Sequence, residues 1–227
     1  MKGLTPYNMK IVAEVLSGSS YQFSLLELLG SRPVIVDCGA NIGSFSLACK
    51  TQIADCQIIA VEPDKNLFAA LTDNLRDYDS VTLIQAALTD RNGTISLMNG
   101  KNDGVANSIF KGEMVLENSS TIVESKATLD FLTNIKQRYQ RIDVLKMDTE
   151  GAEWYLLDLP EDILADVGLI YMEYHSADFF PLFCHKLHTT HVIHNAKIRF
   201  PHRGEVAWIR KDLITAEQKT YEIRPQQ

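Results

Sequence analysis

Short apolar runs that alternate with helical segments constrain the fold of this chain more than any other feature of its sequence. Five such runs, rich in Val, Ile and Leu, occupy residues 34–36, 58–61, 81–86, 142–147 and 169–174. Helical patterns occupy residues 41–50, 64–76 and 128–139, and another begins at 152–157. Strands that are apolar throughout are buried on both faces, so this alternation predicts a mostly parallel sheet.

A hairpin is predicted near the end of the chain. Residues 191–200 and 205–211 have the pattern of two strands, joined by a turn at residues 201–204. Such a hairpin would give the sheet an antiparallel edge. The predicted fold class is therefore a Rossmann-like α/β domain, with a mostly parallel seven-stranded sheet, an antiparallel edge hairpin and helices on both faces.

The remaining segments fill in the domain organisation. Residues 4–30 predict two helical pieces, and residues 94–98 predict a short additional strand. The polar residues 99–124 are predicted to form a functional loop. We therefore divide the chain into an N-terminal helical segment, residues 1–30, and one α/β domain, residues 31–227.

Composition limits the class of protein. The chain has 227 residues and a formal net charge of −7, which argues against a general nucleic-acid binder because a phosphate backbone calls for a basic surface. No stretch approaches the roughly 18 apolar residues of a membrane span. The cysteines form no C-x-x-C pair and predict neither disulfides nor a zinc site; they are Cys38, Cys49, Cys56 and Cys184. We therefore expect a cytoplasmic protein that binds neither nucleic acid nor membranes.

The first predicted strand leads directly into an acidic turn that contains glycine, with the sequence DCGANIG at residues 37–43. Ligands of open α/β sheets bind beyond the carboxyl ends of the strands, so this turn is a candidate binding site. Gly39 would let the backbone approach a ligand closely, and Asn41 is a candidate N-cap for the following helix. Gly43 would let that helix pack tightly on the sheet.

Two kinds of ligand compete for this turn. A dinucleotide needs the pattern G-x-G-x-x-G, but Asn41 and Ser44 stand where the second and third glycines belong when counted from Gly39. The carboxylate of Asp37 would also repel a pyrophosphate. S-adenosylmethionine carries no phosphate, and its ammonium and sulfonium groups are cationic. The pattern favours S-adenosylmethionine, with a nicotinamide-dependent oxidoreductase as the competing interpretation.

Later segments also fit a nucleoside. Glu62 follows the second strand about 20 residues beyond the glycine turn, where such folds place a carboxylate on the ribose hydroxyls. Pro63 follows it and opens the next helix. The residues at the end of the third strand, Ala86 and Ala87, are small enough to border an adenine. The predicted cofactor-binding residues are Asp37, Gly39, Asn41, Gly43, Glu62, Pro63, Ala86, Ala87 and Asp148.

Several segments resemble the FkbM family of methyltransferases. The matching residues are 36–43, 61–63, 86–90 with Gly93, 128–130, 142–153 and 172–175. The most specific part is the K-x-D-x-E-G-x-E stretch that begins at Lys146. The resemblance implies a class I, S-adenosylmethionine-dependent methyltransferase that methylates a hydroxyl of a sugar, polyketide or other secondary metabolite. N-methylation of a peptide or amine is an alternative, as is a protein that binds the cofactor without catalysis.

Charged residues end the fourth and fifth predicted strands and form the candidate catalytic group. Strand alternation would place Lys146, Asp148 and Glu150 on one side. Methyl transfer to a hydroxyl requires removal of its proton, and His175 is the first candidate base because histidine titrates near neutrality. Asp148 is the second candidate. If a divalent cation assists, its ligands would be Asp148, Glu150 and Glu173.

The acceptor pocket is expected to draw on residues 99–124 and on the segment that follows His175. Residues 179–183 contain three phenylalanines that either line this pocket or, given their helical spacing, belong to the core. The pair at 107–108 resembles a loop position near the cofactor in the family. The remaining histidines have no coherent ligand spacing and are assigned no role: His185, His188, His191, His194 and His202.

Overall fold

A computed structural model describes residues 1–18, 20–100, 107–109 and 115–214. The strands within these ranges are β1 Val34–Cys38, β2 Gln57–Val61, β3 Val81–Ile84, β4 Ala87–Thr89, β5 Gly93–Gly100, β6 Val115–Ala127, β7 Val144–Met147, β8 Leu169–Tyr174, β9 His191–Phe200 and β10 Arg203–Arg210. The α-helices are α1 Pro6–Leu16, α2 Ser44–Gln52, α3 Lys65–Leu75, α4 Thr128–Tyr139, α5 Glu161–Ala165 and α6 Phe179–Leu187. Short 3-10 helices are Phe23–Leu28, Ala152–Leu156 and Lys211–Leu213.

The main sheet has seven strands in the order β3-β2-β1-β7-β8-β10-β9. The first five pair in parallel, whereas β10 runs antiparallel to both β8 and β9. The predicted fold class is therefore confirmed, including the edge hairpin. Because the chain leaves β1 first towards β2 and later returns on its other side to β7, a crevice opens at the carboxyl ends of these strands.

Helices cover both faces of this sheet, as predicted. The side chains of β1 show the division, since Ile35 packs with apolar residues of α2 and α3. Val34 and Val36 point to the opposite face and pack with residues of α4, α5 and α6. The phenylalanines at the ends of the segment 179–183 are fully buried, so they belong to this second core and do not line a pocket.

A smaller sheet of three strands, in the order β4-β6-β5, corrects the functional loop predicted at residues 99–124. The strand β6 occupies the end of that range. Along it, Val123 and Ser125 are buried while Ile122 and Glu124 are exposed. The polar composition that suggested a loop therefore reflects a strand with one face in solvent. The rest of that range, apart from residues 99–100 and 107–109, lies outside the described residues.

Three other elements differ from the prediction. The third strand, predicted at residues 81–86, ends at Ile84 as β3 of the main sheet, and Ala87–Thr89 form β4 of the smaller sheet. The predicted strand at residues 94–98 lies within β5, also in the smaller sheet. The segment at 152–157, predicted as a helix, is a 3-10 helix at Ala152–Leu156.

The start of α2 corrects the roles predicted for Asn41 and Gly43. The helix begins at Ser44 and its N-cap is Gly43, with φ of 89°. Asn41 lies before the helix in the left-handed region, with φ of 52°, and its Oδ1 accepts a hydrogen bond from Ile42 N at 2.7 Å. A Cβ on Gly43 would lie 2.8 Å from Leu71 Cδ1. The absence of a side chain here therefore lets the start of α2 pack closely against α3, and not against the sheet as predicted.

The N-terminal segment forms the two predicted helical pieces, α1 and the 3-10 helix Phe23–Leu28. It packs against the main domain: Lys2 Nζ lies 2.8 Å from Asp73 Oδ2 of α3, and the Tyr171 hydroxyl of β8 donates to the Gln22 carbonyl. The division at residue 30 stays a prediction. Among the described helices, none has the length and apolar character needed to cross a membrane.

Candidate active site

A cavity lies beyond the carboxyl ends of β1, β2, β7 and β8. Its wall has two chemically different parts. The part named here the turn end consists of Gly39, Ala40, Asn41, Glu62, Pro63, Ala86 and Ala87. The part named the acidic end consists of Asp148, Glu150, Glu173, Arg199, Arg203 and Glu205. Residues of the N-terminal segment, including Tyr21, also line the cavity.

Every backbone N–H of the turn from residue 39 to residue 43 is hydrogen-bonded within the protein. The first two donate to the carbonyl of Val61, at 3.0 and 2.9 Å. Asn41 N donates to Glu62 Oε2 at 2.9 Å, and Ile42 N donates to the Asn41 side chain. The last donates to the Ala40 carbonyl at 2.8 Å. A pyrophosphate is bound through N–H groups at such a turn, and none of these five remains available for one.

Gly39 is required by a backbone crossing. Its φ is 73°, and a Cβ there would lie 1.8 Å from the carbonyl oxygen of Asp148. The segment that follows β7 therefore passes directly against the turn, and only glycine fits between them. This contact joins the turn end to the acidic end.

Glu62 is buried and held by the backbone. Its Oε1 accepts from Asp64 N and its Oε2 from Asn41 N, both at 2.9 Å. Burial raises the pKa of Glu62 to about 7, although these two N–H groups oppose the shift. Each carboxylate oxygen has a second lone pair, so the group can still accept hydrogen bonds from a ligand in the cavity.

The structure corrects the role expected for Asp37. Its carboxylate is fully buried and does not line the cavity. Oδ2 accepts from Ser46 Oγ at 2.7 Å, and Oδ1 lies 3.2 Å from Lys146 Nζ. The same Nζ donates to the carbonyl of Gly39 at 2.6 Å. Asp37 therefore does not face a cationic ligand directly; together with Lys146 it braces the turn from beneath.

At the acidic end, Arg203 links two carboxylates. Its Nε donates to Glu173 Oε1 at 2.5 Å, and its Nη2 lies 3.4 Å from Glu150 Oε1. Burial and the charge of Asp148 raise the pKa of Glu173 to about 7, against the opposing effect of Arg203 and His175. Burial likewise raises the pKa of Glu150. The two carboxyl groups of Glu150 and Glu173 therefore share the single positive charge of Arg203.

His175 lies behind this group and not on the cavity wall. Its Nδ1 is 3.0 Å from Glu153 Oε1, and its Nε2 is 3.3 Å from Glu150 Oε2. Burial lowers the pKa of His175, but the hydrogen bond and charge of Glu153 and the charges of Glu150 and Glu173 raise it to about 9. The raised pKa favours the imidazolium at neutral pH and disfavours His175 as the base that takes the proton.

Asp148 differs from its neighbours. Its carboxylate lines the cavity, and within the described part of the chain it forms no hydrogen bond or ion pair. Lys146, Asp148 and Glu150, which are predicted to lie on one side of the fourth strand, all line this cavity.

Most of the candidate cation ligands are already paired with other side chains. Atoms of Asp148, Glu173 and His175 lie within 4.8 Å of one another, a spacing that a metal ion would need. However, Glu173 is bonded to Arg203, and His175 contacts the carboxylates of Glu150 and Glu153. Glu150, the third ligand predicted from the sequence, lies between Arg203 and His175. Positive charge is supplied here by side chains.

Some site residues were not identified from the sequence. Arg203 lies at the start of β10, in a segment read only as a hairpin turn, and no local pattern marks it. Glu153, which stands in the K-x-D-x-E-G-x-E stretch, is fully buried and accepts from His175 N and Gly151 N. The pair at 107–108 does reach the site: Asn107 lines the cavity, and the following serine donates to the backbone carbonyl of Glu150.

Comparisons with known proteins identify the family to which the chain belongs. A family model described as the methyltransferase FkbM domain matches residues 37–193. The 2-O-methyltransferase NoeI of Sinorhizobium fredii is 26% identical, with 65% of each chain covered. The methyltransferase sdnD of Sordaria araneosa is 30% identical, with 65% of this chain and 66% of the relative covered. The chain thus spans slightly less than two thirds of the length of either relative.

A solved precorrin-6y C5,15-methyltransferase of Geobacter metallireducens is also similar, with 15% identity, a TM-score of 0.47 and 88% of each chain covered. At that score the likeness has no bearing on the acceptor. The family model spans most of the chain, from the glycine turn through β8 and α6 to the start of β9. The chain belongs to the FkbM family of methyltransferases.

Proposed function

We propose that this protein is an S-adenosylmethionine-dependent methyltransferase that methylates a hydroxyl group of a small-molecule or carbohydrate acceptor. Family membership and the printed name of the 2-O-methyltransferase relative support this proposal. The net charge of −7 and the carboxylates at the acidic end disfavour a nucleic-acid acceptor.

The observation that carries the choice of cofactor is the saturated turn. All five N–H groups from residue 39 to residue 43 have partners inside the protein, and one of those partners is the carboxylate of Glu62. A nicotinamide dinucleotide would bring its pyrophosphate to a turn whose five N–H groups already have acceptors and where a carboxylate lies nearby. A nucleoside without phosphate meets neither obstacle.

The turn end fits such a nucleoside residue by residue. Glu62 can accept from the ribose hydroxyls, and Ala86 and Ala87 leave room for the adenine. Gly39 and Asn41 line the wall beside Asp148, where the methionyl part would lie. When bound, S-adenosylmethionine supplies an electrophilic methyl group on a sulfonium.

At the acidic end we assign proton removal to Asp148. As the acceptor oxygen bonds to the methyl carbon, its O–H bond must break, and a cavity-facing carboxylate without another partner can take that proton. The S–C bond breaks in the same displacement and its electron pair stays on sulfur. His175 and Arg203 hold Glu150 and Glu173 in place, and Lys146 holds the turn.

Calorimetry with S-adenosylmethionine and with NAD tests the cofactor assignment. We expect binding of the first and none of the second, and tight NAD binding alone would overturn the proposal. Transfer of a labelled methyl group to a panel of hydroxyl and amine acceptors then tests the reaction.

Asp148→Asn is expected to lower kcat by roughly 100-fold or more. The control is Asp130→Asn, an exposed acid of α4 that does not line the cavity. Equal losses in both variants would refute the role of Asp148.

A further inference from the structure

Tyr21 places a hydroxyl in the cavity from the N-terminal segment. Its ring packs edge-on against Phe45 and Tyr171, with centroid distances of 4.8 and 5.6 Å, and lies near Phe23. These aromatic contacts fix the direction of the hydroxyl. Among the described residues, none forms a hydrogen bond with it.

Tyr21 lines the same cavity as the residues of the acidic end. Burial raises the pKa of Tyr21 well above its usual value, and the charges of Asp148, Glu173, Asp37 and Glu205 raise it further. The group therefore stays protonated at any physiological pH. It is a hydrogen-bond donor without a partner among the described residues, in a cavity that Asp148, Glu173 and Glu205 also line.

The hairpin β9–β10 also lines this cavity. Arg199 contacts Glu205 Oε1, while Glu205 Oε2 is buried and accepts no hydrogen bond within the described residues. A buried carboxylate oxygen without a donor is unfavourable unless a ligand or water supplies one. Both residues line the cavity.

Charge pairing at this end indicates what can bind there. Arg199 is paired with Glu205, and Arg203 is shared by Glu173 and Glu150. No cation of the acidic end, within the described residues, is left to attract an anion. A cationic group would be repelled by the positively charged sulfonium of the bound cofactor. A hydroxyl both donates and accepts, so it can bond to Tyr21 on one side and to a carboxylate on the other.

We propose that Tyr21, Arg199 and Glu205 form an acceptor subsite for an uncharged group with several hydroxyls, such as a pyranose ring. These residues lie outside the family match at 37–193, so the two ends of the chain build the part that selects the acceptor. The inference rests on the proposed function. It adds three residues that would contact the acceptor and specifies that the acceptor group is uncharged.

The test measures binding without turnover. The protein is saturated with S-adenosylhomocysteine and titrated with a methyl hexopyranoside, a hexuronate and a hexosamine, with affinities from saturation-transfer NMR. We expect the neutral pyranoside to bind at least about tenfold more tightly than the hexuronate, since each unpaired charge is strongly disfavoured. Tyr21→Phe should weaken pyranoside binding roughly three- to tenfold, the effect of one hydrogen bond, and Glu205→Gln by about tenfold.

Tyr139→Phe is the control, because it removes a hydroxyl from a tyrosine of α4 that does not line the cavity. It should leave pyranoside affinity unchanged. Equal effects of Tyr21→Phe and Tyr139→Phe, preferred binding of the hexuronate or hexosamine, or no pyranoside binding would each overturn the subsite. Calorimetry with S-adenosylmethionine on the same samples separates the outcomes: if that binding is intact, the subsite alone has failed, and if it is absent the proposed function has failed.

Discussion

The turn end and the acidic end of the cavity hold their carboxylates in different ways. Glu62 is held by the backbone N–H groups of Asn41 and Asp64. Glu150 and Glu173 are held by charged side chains, Arg203 and His175. Backbone donors are fixed by the fold and do not titrate, whereas side-chain cations can be replaced or can lose their charge. The position of the carboxylate at the turn end is therefore fixed by the backbone, whereas the positions of those at the acidic end depend on a balance of side-chain charges.

The two ends also differ in their place along the chain. The partners at the turn end lie inside the segment that matches the family, residues 37–193. Arg203, which organises the acidic end, lies outside it and reaches back 30 residues to Glu173 and 53 residues to Glu150. The family match therefore covers the turn end completely and the acidic end only in part.

The largest expected effect is that of Gly39→Ala, which tests whether the turn end is fixed by its backbone. The new Cβ would lie 1.8 Å from the carbonyl of Asp148, at a φ of 73°. We expect a loss of about 4 kcal/mol or more in the free energy of unfolding, and no measurable binding of S-adenosylmethionine. Gly30→Ala is the control, since its Cβ would meet nothing within 4 Å. Chemical denaturation and calorimetry measure both variants. A stable Gly39→Ala protein that binds S-adenosylmethionine normally would contradict the close contact between residue 39 and the backbone of Asp148.

The next effect is that of His175→Gln at the acidic end. The pKa of His175 rises from 6.5 to about 9 on folding, so its contribution is fully present below pH 6.5 and is lost as the pH rises through 9. Its size is about 3 kcal/mol from the shift alone. The stability difference between the native protein and His175→Gln should therefore shrink between about pH 7 and about pH 10.

Denaturation curves across that pH range measure this difference. Replacement of the exposed His194 controls for the loss of one histidine from the protein. A difference for His175→Gln that grows with pH would mean that the ring is neutral in the folded state, and the assignment of a general base would be open again.

A smaller effect is expected for Arg203→Met. Glu173 and Glu150 would lose their shared guanidinium, and we expect a loss of about 1–3 kcal/mol in the free energy of unfolding because the pair is partly buried. The pKa of Glu173, already about 7, should rise further. A carboxyl whose folded pKa is raised destabilises the fold as the pH rises through that value, so the loss should be greater at alkaline than at acid pH.

Arg210→Met removes a comparable pair with Asp212 that lies outside the cavity. It should cost less than about 1 kcal/mol, because Asp212 is largely exposed. If the two variants lose the same stability and neither loss depends on pH, the acidic end is not the charge-balanced structure described here.

Much of the turn end could be predicted from the sequence because its contacts follow local patterns. The apolar runs fix the strands, and the strand ends place Gly39, Glu62 and Ala86 in one crevice. What the pattern could not give is the direction of side chains: Asp37 follows the first strand as expected, but faces Lys146 inside the protein. A buried ion pair across two strands leaves no trace in local spacing.

The acidic end was less predictable for the same physical reason. The types of residues at 148–175 indicated proton chemistry, but their charge states depend on partners far along the chain. Burial and Asp148 raise the pKa of Glu173 while Arg203 opposes the shift, and Glu153 raises the pKa of His175 against the effect of burial. The pairings with Arg203 and Glu153 have no local signature in the sequence. The smaller sheet was missed because β6, with one face in solvent, has the composition of a loop.

The smallest expected effect separates the two ends by pH. The pKa of Glu62 is about 7, and its ionised form accepts stronger hydrogen bonds from the ribose hydroxyls. The affinity for S-adenosylmethionine should therefore rise by up to about tenfold between roughly pH 6 and pH 8. In Glu62→Gln this rise should disappear, while Glu124→Gln, an exposed acid of β6, should retain it. Calorimetry at several pH values measures the slope. If the pH dependence of the affinity survives in Glu62→Gln, the titrating group lies at the acidic end, where the pKa of Glu173 is also about 7. The charges of the acidic end would then control the binding of S-adenosylmethionine as well as that of the acceptor.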